Sequence, residues 1–138
     1  MAATTTDPAI QCANSATTAL PAGHYSHICT AAGLVFISGQ LPIKPDGTAL
    51  TGHSFEEQTQ QVLSNVEGCL ARAGLGKDSL VQVRVYVTDI KHWPRFNELY
   101  AAWIGSHRPA RAVAGVAELH FELAVEVEAI ALAGNESS

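Results

Sequence analysis

Between Ser54 and Asp89 the sequence sets two different periods back to back, and this succession narrows the fold more than any other stretch. Ser54-Phe55-Glu56-Glu57 has the form of a capping box. In it the Ser54 hydroxyl accepts from the Glu57 amide, and the Glu57 carboxylate returns a bond to the Ser54 amide. Phe55, Val62, Val66, Cys69, Leu70 and Ala73 then mark one helical face, and Gly74 supplies the left-handed residue that ends the helix. From Leu80 the period becomes two. Val81, Val83, Val85 and Val87 fall on one side, and Gln82, Arg84, Tyr86 and Thr88 on the other. That alternation is the signature of a half-buried strand.

The flanking sequence repeats the theme. Residues 1–20, rich in Ala, Thr and Ser, show no period and read as a loose arm. Tyr25 to Thr30 and Leu34 to Ser38 read as two short strands joined by a turn at Ala32-Gly33. Residues 39–53 carry Gly39, Pro42, Pro45, Asp46-Gly47 and Gly52 and read as a loop. Pro94 suits the first turn of a second helix, with Trp93, Phe96, Tyr100, Trp103 and Ile104 as its core stripe. Arg111 to Val116 and Val125 to Leu132 complete the strands. The expected order is ββ-α-β-α-ββ, an α+β layer in which two helices cover one face of an antiparallel or mixed sheet. The 138 residues suffice for one domain, expected over residues 21–134.

Composition removes several classes. The net charge is −5, and no Lys or Arg precedes Lys44. Phosphate neutralisation needs clustered cations, so nucleic acid is not an expected partner. No apolar run is long enough to span a membrane, and neither a basic leader nor a C-terminal address in residues 135–138 is evident; the expected compartment is the cytoplasm. Cys12, Cys29 and Cys69 have unrelated spacings and read as free thiols. There is no glycine-rich phosphate loop, no nucleophile elbow and no metal-ligand spacing among the six histidines. His24 and His27, three apart on an expected strand, would point to opposite faces.

Arg111 and Glu126 remain as candidates for chemistry. Arg111 opens a small, apolar strand, and its planar fork matches a carboxylate. Glu126 and Glu128 share the polar face of the last strand. Two readings stay open: a ligand anion meets Arg111, or Arg111 pairs with one glutamate while the other is solvated.

Gly23-His24-Tyr25-Ser26, Ile37-Ser38-Gly39-Gln40, the segment 58–70 (QTQQVLSNVEGCL), the segment 83–89 (VRVYVTD), Asn97-Glu98-Leu99-Tyr100, Pro109-Ala110-Arg111 and the segment 125–131 (VEVEAIA) together resemble the RidA (YjgF) family of reactive-intermediate deaminases. The resemblance runs from about Gly23 to Ala133. It implies a chorismate-mutase-like subunit, a homotrimer with clefts between subunits, and hydrolysis of enamines and imines such as 2-aminoacrylate to 2-oxo acids and ammonia. It implies neither metal nor organic cofactor. It also implies Arg111 as the carboxylate clamp, Glu126 as the catalytic glutamate, and Tyr25, Ser38, Gly39 and Asn97 as substrate-binding residues. The chain departs from the family pattern at His24, at Val113 (often cysteine in the family) and at Leu119-His120-Phe121, which bears on the substrate more than on the reaction. A pathway-specific deaminase resembling 2-aminomuconate deaminase, a non-catalytic 2-oxo-acid-binding or chaperone-like trimer, and an endoribonuclease are the other activities considered.

Overall fold

A computed structural model describes residues 9–134. Residues 1–8 of the expected arm and the C-terminal segment 135–138 lie outside the described residues. The elements are β1 (Gln11–Ala13), β2 (Ile28–Ala31), β3 (Leu34–Gln40), α1 (Phe55–Arg72), β4 (Leu80–Val87), α2 (Trp93–Ile104), β5 (Ala110–Gly115) and β6 (Val125–Leu132). One sheet contains all six strands in the order β1-β2-β3-β6-β4-β5. β4 and β5 run parallel and every other pair is antiparallel, so the sheet is mixed.

Local chemistry sets the helix ends. Both bonds of the capping box form at Ser54 and Glu57, and Gly74 takes a φ of 73° beyond the last turn of α1. Both helices cover one face of the sheet. Val62, Val66, Cys69 and Leu70 of α1 and Phe96, Tyr100 and Ile104 of α2 pack there with Val35, Val83, Val85, Val87, Val125 and Val127. The opposite, helix-free face presents Phe36, Arg84, Tyr86, Glu126, Glu128 and Ile130, the alternate residues of the same strands.

Four expectations change. Residues 9–20 are not a loose arm: Gln11–Ala13 form the outer strand β1, paired with β2. β2 starts at Ile28 rather than Tyr25. Val81 does not join the buried valines, because the β4–β6 register slips between Leu80 and Gln82; Leu80 turns inward and Val81 is exposed. Trp93, at the first position of α2, is also exposed.

Candidate functional site

The sequence-predicted site residues fall into two groups on opposite faces of the sheet. Arg111 stands beside Val83 in the β4–β5 ladder, and Val83 beside Ala129 in the β4–β6 ladder. Val83 and Ala129 are both buried under the helices, so Arg111 belongs to the helix side. Glu126 stands beside Tyr86, and Tyr86 beside Ala114, in the rows of the other face. Strand alternation therefore keeps the two charged groups apart within one chain.

On the helix side, α2 builds a mount for the guanidinium. Arg111 Nη1 donates to Asn97 Oδ1 at 2.9 Å, and the guanidinium carbon lies 4.9 Å from the centre of the Tyr100 ring. Asn97 and Tyr100 are three residues apart on α2 and so share a helix face. A hydrogen bond at one edge and an aromatic face below fix the plane of the fork. Among the described residues Arg111 makes no ion pair with a carboxylate. The glutamate-paired arginine of this sheet is Arg84, 3.9 Å from Glu128. Val113 follows Arg111 on the same side and packs against the core.

On the helix-free side, the two glutamates of β6 differ. Glu128 accepts a hydrogen bond from the Tyr86 hydroxyl and faces Arg84. Glu126 has neither a hydrogen bond nor an ion pair among the described residues. Burial holds its carboxyl above the ordinary glutamate range; His120 opposes that shift through its charge, and Glu128 adds to it. Glu126 lies over Gly39, where the β3–β6 register shifts between Ile37 and Gln40. A Cβ at Gly39 would run into the Glu126 carboxylate, whose Cδ would be 3.1 Å away. Glycine here makes room for the acid.

A cavity of about 470 Å³ opens at this end of β3. Its walls include the segment 18–23, Tyr25, Gly39, Gln40, His120 and Phe121. The turn His120–Glu122 that forms one rim holds Phe121 at a φ of 60° and Glu122 at 56°, and Thr51 Oγ1 donates to the Phe121 carbonyl at 2.6 Å. Tyr25 is half exposed, and its hydroxyl accepts from the Ala22 amide. Ser38 points elsewhere: its hydroxyl donates to the Ser26 carbonyl at 2.7 Å. His24 is exposed and lies off the cavity lining.

Sequence reasoning missed His27. It is 2% exposed, takes the Ser15 amide on Nδ1 at 2.9 Å and bonds the Ala19 backbone, and burial lowers its pKa. His27 thereby fastens the cavity wall to the sheet. Its place next to a strand start gave no signal of that contact. Among the described residues, no helix is long and apolar enough to cross a membrane.

The chain is similar to known proteins over nearly all of this framework. The structure of yeast Mmf1 superposes with a TM-score of 0.86 at 34% identity, covering 91% of this chain and 99% of that one. The Escherichia coli protein TdcF, solved with bound serine, superposes with a TM-score of 0.83 at 26% identity, covering 90% of this chain and 99% of TdcF. The chloroplastic Reactive Intermediate Deaminase A of Arabidopsis thaliana is 35% identical over 109 residues, 79% of this chain and 58% of the plant protein. The family model described as Endoribonuclease L-PSP matches residues 16–133. With the six-stranded mixed sheet and its two helices in the chorismate-mutase-like arrangement of these neighbours, the chain belongs to the endoribonuclease L-PSP (YjgF/RidA) family.

Proposed function

We propose that the chain is a hydrolytic deaminase that converts amino-acid-derived enamines and imines, such as 2-aminoacrylate, to 2-oxo acids and ammonia. It acts as a homotrimer, with each site assembled between subunits, in the cytoplasm. The observation that carries this reading is the mounted, carboxylate-free Arg111. Asn97 and Tyr100 orient its fork, and no carboxylate among the described residues pairs with its charge. Such a group suits the carboxylate of a small 2-imino acid. The plant relative's name and the serine held by TdcF agree with a ligand of amino-acid type.

The reaction asks little more than placement and proton transfer. The enamine tautomerises to an imine, water adds to the C=N carbon, and the carbinolamine expels ammonia to leave the ketone. Arg111 holds the carboxylate and so fixes the imine carbon. Glu126 positions the water and exchanges its proton; a carboxyl held above the usual range serves as base for the addition and acid for the departure. Tyr25 and Gly39 line the cavity in which the substrate side chain lies. Ser38 acts from behind, holding the β3 end through Ser26. With Arg111 and Glu126 on opposite faces of one sheet, a second subunit supplies the missing half. The net charge of −5 weighs against RNA as substrate.

The test is a coupled assay of 2-oxo acid release from imines generated in place by an amino acid oxidase, run over several side chains. Acceleration above spontaneous hydrolysis by the wild type, lost in Arg111→Ala, is expected. Binding of 2-oxo acids with no acceleration of any imine would replace catalysis with binding alone.

A further inference from the structure

Cys12 and Cys29 stand opposite each other in the β1–β2 ladder, and their sulfurs lie 2.8 Å apart. Neither cysteine belongs to the deamination site. Sequence spacing concealed the pair: the residues are 17 apart and share no motif. The ladder and three local bonds bring them together. Asn14 Oδ1 accepts from the His27 amide, the Ser15 amide donates to His27 Nδ1, and His27 bonds the Ala19 backbone. The residues just after Cys12 are thus fastened to a residue just before Cys29. Gly68 of α1 receives the same segment, since a Cβ there would press on the hydroxyls of Ser15, Thr17 and Thr18. The backbone on both sides of the pair is therefore already ordered.

We propose that Cys12 and Cys29 form a reversible dithiol–disulfide site whose oxidised form staples the cavity wall to the sheet. The chain between the two sulfurs contains residues 18–23 and Tyr25, which line the 470 Å³ cavity. The oxidant is a low-molecular-weight disulfide of the glutathione class. The exposed Cys12, as thiolate, attacks one of its sulfurs and expels one small thiolate, leaving a mixed disulfide. Cys29 then attacks the Cys12 sulfur and expels the second. Two protein thiols lose two electrons and two protons, and one small disulfide becomes two thiols. Cys69 takes no part: it is fully buried in the core, and burial pushes its thiol up to about 12. A reversible pair of this kind fits a reducing compartment, where disulfides are transient and redox-sensing. Cavity access would then follow the thiol–disulfide balance.

The full-length protein, equilibrated in glutathione buffers of graded potential, is alkylated with iodoacetamide in denaturant and weighed. The reduced protein should carry three alkylated cysteines and the oxidised protein one, at Cys69. No Lys or Arg precedes Lys44, so trypsin leaves Cys12 and Cys29 in one peptide. Chymotrypsin, cutting after Tyr25, should release two peptides that remain joined until reduction. Neither Cys12→Ser nor Cys29→Ser should form an intramolecular disulfide at any potential; in oxidising buffer Cys29→Ser should instead retain one glutathione on Cys12, seen as added mass that reduction removes. Hydrogen exchange of the β1 amides should slow on the order of 10²-fold on oxidation, as expected when a loop of this length is closed. Three alkylatable thiols at every potential would overturn the proposal. So would a disulfide that joins two chains, or one that includes Cys69.

Discussion

Asn97 holds one edge of the Arg111 guanidinium and Tyr100 lies under its face, so the fork is aimed before any ligand arrives. Arg111→Ala should leave the melting temperature near that of the wild type, since its partners are one amide and one ring face. It should weaken 2-oxo acid binding by about 1.5–3 kcal/mol, measured calorimetrically. Arg111→Lys should recover only part of that loss, because the charge returns without the fork. Glu126 and Glu128 cannot be told apart by strand period, as both occupy the same face. Their surroundings separate them: Glu128 is held by Tyr86 and Arg84, and Glu126 is half-buried with no such bond. Glu126→Gln should lower kcat by roughly 10²-fold, whereas Glu128→Gln should alter stability by at most about 1 kcal/mol and spare kcat. The pH dependence carries a definite sign. A folded-state pKa above the usual glutamate value of 4.5 means the folded protein holds that proton more tightly than the unfolded chain. Wild-type stability therefore falls as pH rises from 4.5 through the raised value. Glu126→Gln should raise the melting temperature at neutral pH, with the gain fading toward pH 4.

At the scale of elements, α1, β4 and β6 were legible because their caps and periods are local chemistry. The capping box at Ser54 forms as expected, and Ser54→Ala should cost about 1 kcal/mol in urea unfolding. What the sequence hid is tertiary. Gln58, Thr59 and Asn65 are buried on α1, although polar residues on a helix read as solvated. The Gln58 side chain donates to the His53 carbonyl and accepts from the Ala124 amide, and Asn65 donates to the carbonyls of Leu41 and Ile43. These bonds bind the loop before α1 and the approach to β6 onto the helix, and no local pattern announces them. β1 was missed for the same reason. Three residues hold no period, and their register comes from Asn14 and Ser15 bonding to His27. His27 has a lowered pKa, so the unfolded chain takes up its proton first as pH falls below 6.5. Stability of the β1 segment should be complete above pH 6.5 and decline below it, read as faster hydrogen exchange of residues 11–13. His27→Gln should flatten that dependence.

The whole molecule is where the candidate site was least legible. The family motifs put Arg111 and Glu126 in one site, yet the mixed sheet places them on opposite faces, a relation set by strand register rather than by sequence neighbours. The helix-free face also leaves Phe36 exposed beside Ile130, apolar surface that a second subunit would cover. In solution the particle should have three times the 14.6 kDa chain mass by light scattering. The most direct test of the shared site mixes two inactive variants. Arg111→Ala and Glu126→Gln chains, co-expressed in equal amounts and purified together, should assemble at random. A site built from Arg111 of one subunit and Glu126 of the next is intact when an Arg-bearing chain precedes a Glu-bearing one, at about one quarter of all interfaces. Imine hydrolysis by the co-purified population, homotrimers included, should return to about one quarter of the wild-type rate. Activity no higher than that of the two variants assayed separately would contradict it.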